Sequence, residues 1–146
     1  MADPEWLARA RAEGRVTEGP RATIPAPPAD CPEAAFTRAV IDLARSHGWL
    51  AYHPLPARPA SGRWVTAFLG DAGLPDLVLA RDRLIFAELK TARGRLTRGQ
   101  REWVWRLAVA GVAAYVWRPC DWEDIGRVLG AAPPAWWVSV AQRGEG

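Results

Sequence analysis

Residues 75–90, PDLVLARDRLIFAELK, decide the fold of this chain. Two apolar runs, 76–80 and 84–90, stand on either side of a short charged segment, which is the pattern of two strands joined as a β-hairpin. Folding the hairpin about its charged centre places Glu88 next to Asp76, because the paired strands run in opposite directions. The sequence therefore predicts two neighbouring carboxylates at the end of the hairpin that lies opposite its turn.

Apolar spacing on both sides of the hairpin predicts three helices and two more strands. Apolar residues at helical spacing indicate helices at 30–47, 97–110 and 121–129. Further strand-like runs lie at 49–53 and 112–117. The helix between the hairpin and the last strand is long enough to act as a crossover connection. The whole order predicts an α/β domain in which helices flank a mixed sheet.

Capping residues are expected at the start of both long helices. Asp30 precedes Glu33, and Thr97 precedes Gln100, each at the three-residue spacing of a capping box. Glu33 and Gln100 therefore each have a purely structural interpretation, which stays open beside any role in chemistry.

The chain is expected to divide into an arm, one domain and a tail. Residues 1–29 are predicted to form an N-terminal arm or linker that is rich in proline towards its end. Residues 30–130 hold the domain, and 131–146 form a C-terminal tail. Within the domain, residues 57–75 make a long loop, and loops of that length are often functional.

The composition is that of a globular chain. Of the 146 residues, 49% are hydrophobic and 24% are charged, which is enough for one buried core. No apolar stretch approaches the roughly 20 residues of a membrane span, and the N-terminus lacks a signal-peptide core, so an intracellular protein is expected. The two cysteines form no CxxC pair, and with the two histidines they lack the tight spacing of the usual structural zinc site. The net charge of +3 permits a nucleic-acid partner without demonstrating one.

Three side chains of the hairpin form a candidate metal site. Strand alternation sends Glu88 and Lys90 to one face of the sheet, beside Asp76. Two adjacent carboxylates repel each other unless a cation lies between them, and Mg²⁺ favours one or two carboxylates with water and phosphate oxygens. The backbone carbonyl of Leu89 would add another oxygen ligand. Such a cation would acidify a water for attack on a phosphodiester, while the ammonium steadies the negative charge. An exposed hairpin with a cross-strand charge network is the alternative.

Lys90 is the only lysine in the chain. The other 18 of the 19 Lys and Arg residues are arginine. An ammonium is compact and its pKa shifts readily, whereas a guanidinium stays protonated. Position 90 therefore either requires a lysine for that reason or holds its single lysine by chance.

These residues resemble a known nuclease signature. Gly73-Leu74-Pro75-Asp76, followed by Glu88-Leu89-Lys90, is similar to the motif of the PD-(D/E)xK nucleases. Gly94-Arg95-Leu96-Thr97-Arg98-Gly99-Gln100 resembles the VRR-NUC branch of that superfamily. The first helix, from Pro32-Glu33-Ala34-Ala35-Phe36 to His47-Gly48-Trp49, is similar to the same branch. The resemblance covers most of the chain.

The resemblance implies a restriction-endonuclease-like αβββαβ core around a mixed four-stranded sheet. It implies that Asp76 and Glu88 hold Mg²⁺, for which Mn²⁺ substitutes, and that Lys90 is the catalytic lysine. Gln100 would lie beside the metal as a further catalytic residue, and Glu33 is a further candidate metal ligand.

The function implied is hydrolysis of DNA phosphodiesters by a metal-dependent endonuclease. Stand-alone members of the branch suggest branched DNA, such as a Holliday junction or a flap, in repair, recombination or phage replication. The setting would be the cytoplasm of a bacterial or phage-infected cell, and a homodimer would suit a two-fold junction. Two rivals are a catalytically inactive DNA-binding module of the same fold and a small-molecule phosphohydrolase.

Basic and aromatic residues around the motif are candidate DNA contacts. As a cluster on loops they would neutralise phosphates, although each alone is more often a solvated surface charge. The candidates are Arg58, Arg63, Arg93, Arg95, Arg98 and His53. Trp64, Trp136 and Trp137 are candidates for stacking on bases or for an interface.

Overall fold

The computed structural model describes residues 24–56, 60, 62 and 67–131. Predictions for most of the N-terminal arm and for the C-terminal tail lie outside the described residues. Five candidate DNA-contact or interface residues also lie outside the described residues: Arg58, Arg63, Trp64, Trp136 and Trp137.

The described residues form three α-helices, four strands and one 3-10 turn. The helices are α1 (Glu33–Ser46), α2 (Arg98–Val109) and α3 (Trp122–Gly130). The strands are β1 (Leu50–Tyr52), β2 (Leu77–Ala80), β3 (Leu84–Leu89) and β4 (Ala113–Trp117). The 3-10 turn, Pro119–Asp121, leads into α3. This order is the predicted one.

The strands form one mixed sheet in the order β1-β2-β3-β4. Strand β1 pairs with β2, and β2 with β3, in antiparallel fashion, whereas β3 and β4 run parallel. Helix α2 is the connection between the two parallel strands, as a crossover must be. The chain is therefore an α/β protein with a mixed four-stranded sheet flanked by helices, as predicted.

One face of the sheet carries the hydrophobic core. Alternate residues of the hairpin strands are fully buried, namely Leu77, Leu79, Ile85, Ala87 and Leu89. They form one cluster with apolar residues of α1 and α3. Helix α2 is different, because none of its residues is fully buried. The sheet thus has one well-sealed face, and the side chains that alternate with the core residues point away from it.

The start of α1 differs from the prediction. The N-cap is Pro32 rather than Asp30, and no side chain of the described residues caps this end of the helix, so the predicted capping box with Glu33 is wrong. Proline disfavours the helical conformation of the residue before it, here Cys31, so the helix starts only after Pro32. The capping box at Thr97 and Gln100 is confirmed.

The turn of the hairpin binds the end of α3. Arg81 and Arg83 both pair with the buried carboxylate of Asp82, and both guanidinium groups lie over the ring of Trp49, 4.6 and 4.9 Å from its centroid. Burial raises the pKa of Asp82, but the hydrogen bonds and charges of the two arginines outweigh it and lower the pKa. The arginines also donate hydrogen bonds to main-chain carbonyls, those of His47, Val128, Leu129 and Ala131.

Within 24–131, apart from the undescribed positions of the 57–66 loop, no helix has both the length and the apolar character needed to cross a bilayer.

Candidate active site

Two carboxylates meet at the open end of the hairpin. Leu77 pairs with Ala87, so the register continues to place Asp76 opposite Glu88. The carboxylate of Asp76 accepts a hydrogen bond from the backbone N–H of Leu89 at 3.2 Å. This contact holds the Asp76 side chain against β3, beside Glu88.

Glu88 is fully buried, and two donors converge on one of its oxygens. The Lys90 ammonium lies 2.7 Å from Glu88 Oε1, and Gln100 Nε2 donates to the same oxygen at 2.5 Å. Lys90 shares the face of Glu88 because the two are separated by one residue on an extended strand. Gln100 reaches it from the first turn of α2. Three predicted site residues are thus in direct contact.

Gln100 closes the capping box of α2 and also contacts Glu88. Its Oε1 accepts a hydrogen bond from the Thr97 N–H at 2.9 Å, and its own N–H donates to the Thr97 hydroxyl at 3.2 Å. These are the two halves of the capping box. Because the amide oxygen faces Thr97, the amide nitrogen is left to face Glu88.

The second oxygen of Glu88 has no hydrogen-bond donor among the described residues. The pKa of Glu88 is raised to about 7, because burial and the nearby charge of Asp76, which raise it, outweigh the hydrogen bond from Lys90, which lowers it. A proton shared with Asp76, a water molecule or a cation could satisfy the uncovered oxygen. A buried carboxylate oxygen without a partner is costly, so this position is suited to a cation.

Lys90 is held in its charged form. Burial lowers the pKa of Lys90, but the hydrogen bond and charge of Glu88, with the charges of Glu33 and Asp76, raise it above the ordinary value. Glu33, an exposed residue on the first turn of α1, is therefore close enough for its charge to act on Lys90.

The donor set fits Mg²⁺ or Mn²⁺ as a pair of carboxylates. No group of three or more His, Cys, Asp or Glu side chains that could hold a metal occurs in the described part of the chain, so Glu33 does not complete such a group. Magnesium commonly takes only one or two carboxylates and keeps several waters. The N–H of Leu89 points towards Asp76, and the N–H and C=O of one strand residue point to the same side, which directs the Leu89 carbonyl that way too.

His53 also lies at the site, through the backbone. Its Nδ1 is 2.8 Å from the carbonyl oxygen of Asp76 and must therefore donate. The contact links the end of β1 to the residue that precedes β2. The phosphate contact predicted for His53 would have to use the other ring nitrogen.

The described candidate arginines lie on the loop after Lys90 and at the start of α2. Arg93, Arg95 and Arg98 are all exposed. They lie on the segment that follows Lys90 in the chain, and their side chains are open to solvent.

Two glycines bring the Asp76 loop against α2. Gly73 has a φ of +109°, and a Cβ built there would lie 2.6 Å from the backbone nitrogen of Gln100; one built on Gly99 would lie 2.5 Å from the Ala72 carbonyl oxygen. Trp103 of α2 donates to the carbonyl of Asp71 at 3.1 Å. Gly73 and Gly99 both belong to the sequence motif, but nothing in the sequence indicates that they contact each other.

Comparisons of the chain with family models, with curated proteins and with solved structures found no match. The function of this site therefore has to be inferred from its geometry and from the sequence motif.

Proposed function

We propose that the chain is a metal-dependent DNA endonuclease of the PD-(D/E)xK kind, from its VRR-NUC branch. One observation carries the proposal. Glu88 is fully buried, one of its oxygens holds Lys90 and Gln100, and the other has no donor among the described residues while Asp76 stands beside it. Asp76, Glu88, Lys90 and Gln100 are the side chains that the sequence motif singles out.

A purely structural charge network explains this arrangement less well. Buried ion pairs stabilise a protein only when the remaining lone pairs are also satisfied. Here one oxygen of the buried Glu88 has no donor among the described residues, and Asp76 lies close enough to raise the pKa of Glu88, so an ionised Glu88 is destabilised in the metal-free site. Sites arranged for chemistry commonly hold carboxyl groups with strongly shifted pKa values.

The side chains would divide the work of phosphodiester hydrolysis. Asp76, Glu88 and the Leu89 carbonyl would hold Mg²⁺ or Mn²⁺, which supplies Lewis acidity towards a phosphodiester when bound. Lys90, an ammonium in the metal-free protein, would stabilise negative charge that develops during attack. Gln100 would hold Glu88 in place, since its amide orientation is fixed by Thr97.

The proposed substrate is DNA, with preference for branched forms such as a Holliday junction or a flap. The exposed arginines beside the site would contact phosphates, and a homodimer would match a two-fold junction. Work in repair, recombination or phage replication, in the cytoplasm of a bacterial or phage-infected cell, is part of the same proposal.

A cleavage panel tests this function. Single-stranded, duplex, flap and four-way-junction DNA are incubated with the protein in Mg²⁺, in Mn²⁺ and in a chelator. We expect cleavage only with a metal, its loss in Asp76→Asn and Glu88→Gln, and weaker Mn²⁺ binding by calorimetry in both variants. Glu102→Gln, which alters an exposed carboxylate on α2, is the matched control and should cleave normally.

Two results would reject the proposal. DNA binding without cleavage in any metal would identify an inactive DNA-binding module. Unchanged Mn²⁺ affinity in both carboxylate variants would show that Asp76 and Glu88 do not form the metal site.

A further inference from the structure

The carbonyl of Asp76 lies where the main-chain ladder between β1 and β2 has ended. The last pair of the ladder is Tyr52 with Val78. Continuing this register by two residues places residue 54 opposite Asp76, and residue 54 is a proline. Proline has no N–H to donate. The strand opposite therefore offers no main-chain donor to the residue that carries a proposed metal ligand.

The imidazole of His53 supplies a donor at this point. Its Nδ1 lies 2.8 Å from the Asp76 carbonyl oxygen. A carbonyl only accepts, so Nδ1 carries the proton and the tautomer of the neutral ring is fixed. The carboxylate of the same residue is held from the other side by the Leu89 N–H. The backbone of Asp76 is therefore bound by His53, which follows β1, and its side chain is bound by Leu89 of β3.

We propose that His53 is a positioning residue of the site, whose ring N–H replaces the missing ladder donor and fixes the backbone of Asp76 and with it the carboxylate. As a positioning residue for metal binding it rests on the proposed function. Groups that orient a metal ligand commonly change metal affinity about 10- to 100-fold when they are removed.

Two substitutions at position 53 separate the N–H from the ring. In His53→Asn the amide nitrogen is bonded to Cγ, as Nδ1 is, so the donor is retained without the ring. His53→Leu fills similar space and has no donor. If His53→Asn keeps Asp76 in place and His53→Leu does not, the N–H donor is responsible, because packing of the ring alone would be lost in both variants.

The first measurement is amide hydrogen exchange in the metal-free protein. The Leu89 N–H reports on Asp76, because Asp76 is its acceptor. The adjacent Lys90 N–H bonds instead to the Trp117 carbonyl at 2.9 Å and serves as an internal control. We expect His53→Leu to speed exchange at Leu89 by about tenfold or more, with Lys90 little changed and His53→Asn close to the parent.

The second measurement is Mn²⁺ affinity by calorimetry. We expect about a tenfold loss in His53→Leu and near-parental affinity in His53→Asn. Unchanged Leu89 exchange in His53→Leu, or equal loss in both variants, would overturn the positioning role. If the parent binds no Mn²⁺, the proposed function fails instead, and the exchange data still decide whether His53 fixes Asp76.

Discussion

Gln100 and Glu88 are joined by a 2.5 Å hydrogen bond that runs from the first turn of a helix to a fully buried carboxylate. The same glutamine closes the capping box of that helix with Thr97. One amide group therefore ties the start of α2 to the candidate site. The two contacts can be separated by mutation, because only one of them involves Glu88.

Removing the amide of Gln100 should affect stability and cleavage together. Gln100→Leu loses both the capping box and the donor to Glu88, whereas Thr97→Ala loses only the cap. We expect Thr97→Ala to be destabilised by about 1 kcal/mol, as measured by urea unfolding, and Gln100→Leu by more, because it also removes a donor from a buried carboxylate. Cleavage per folded molecule should fall about tenfold or more in Gln100→Leu alone, since a charge-assisted hydrogen bond there is worth about 1.5 to 3 kcal/mol. Equal cleavage by the two variants would reduce Gln100 to a capping residue.

Lys90→Arg should lower the cleavage rate by at least about 10²-fold, with DNA affinity changed much less. The ammonium lies 2.7 Å from Glu88 Oε1, and the lysine side chain is only 12% exposed, so the larger guanidinium has no room in the same place. Single-turnover cleavage in saturating Mg²⁺ measures the rate, and binding in Ca²⁺ measures affinity.

Arg95→Lys is the matched control for this exchange. It makes the reverse substitution at an exposed position on the same loop and should leave cleavage within a few-fold of the parent. A Lys90→Arg variant that cleaves as well as this control would show that position 90 requires positive charge alone.

Stability of the metal-free protein should depend on pH through Glu88. The pKa of Glu88 rises from 4.5 to about 7 on folding, so the folded state binds more protons between these values. The contribution of Glu88 to stability therefore falls as pH rises through this window. Asp82, whose pKa is lowered, titrates below it.

Glu88→Gln isolates this effect because glutamine does not titrate. Between pH 5.5 and 8, the parent should lose about 2 kcal/mol of unfolding free energy relative to Glu88→Gln. Urea unfolding in a chelator measures the difference at each pH, and the histidines, present in both proteins, cancel. A difference that does not vary with pH would mean that Glu88 stays ionised throughout the range.

DNA affinity should depend on salt through the arginines beside the site. Alanine at Arg93, Arg95 or Arg98 should each reduce the slope of log affinity against log salt by about one unit, and the same is predicted for Arg58 and Arg63. Arg127→Ala is the control. Arg127 is also exposed, but it lies in the last turn of α3 and not on the segment that follows Lys90. A parental slope in every variant would make these arginines ordinary surface charge.

The sheet and the pairing of the hairpin could be predicted because both depend on local patterns. Alternation along β2 and β3 separates the core side chains from Glu88, and the length of the turn sets the register that brings Asp76 opposite it. The Thr97 capping box was predictable for the same reason. The error at the start of α1 was local as well, since the restriction imposed by Pro32 outweighs the capping tendency of Asp30.

The remaining contacts could not be predicted because their acceptors are main-chain atoms. In the sequence, Arg81 and Arg83 indicate only a charged turn, yet both donate to carbonyls at the end of α3. Likewise, His53 donates to the carbonyl of Asp76. Every residue has a carbonyl, so a sequence carries no signal for which one is chosen. The approach of Gly73 to Gly99 is similar, because it depends on where α2 lies relative to the loop.

The approach of these two glycines also bears on how the protein would lose activity on heating. Helix α2 cannot fray from its N-terminal end without freeing the segment that leads to Asp76 and withdrawing the amide from Glu88. The first turn of α2 and the candidate site therefore melt as one cooperative unit. Partial unfolding that spares catalysis has to begin elsewhere, such as the C-terminal turn of α2, where Val109 is already 68% exposed.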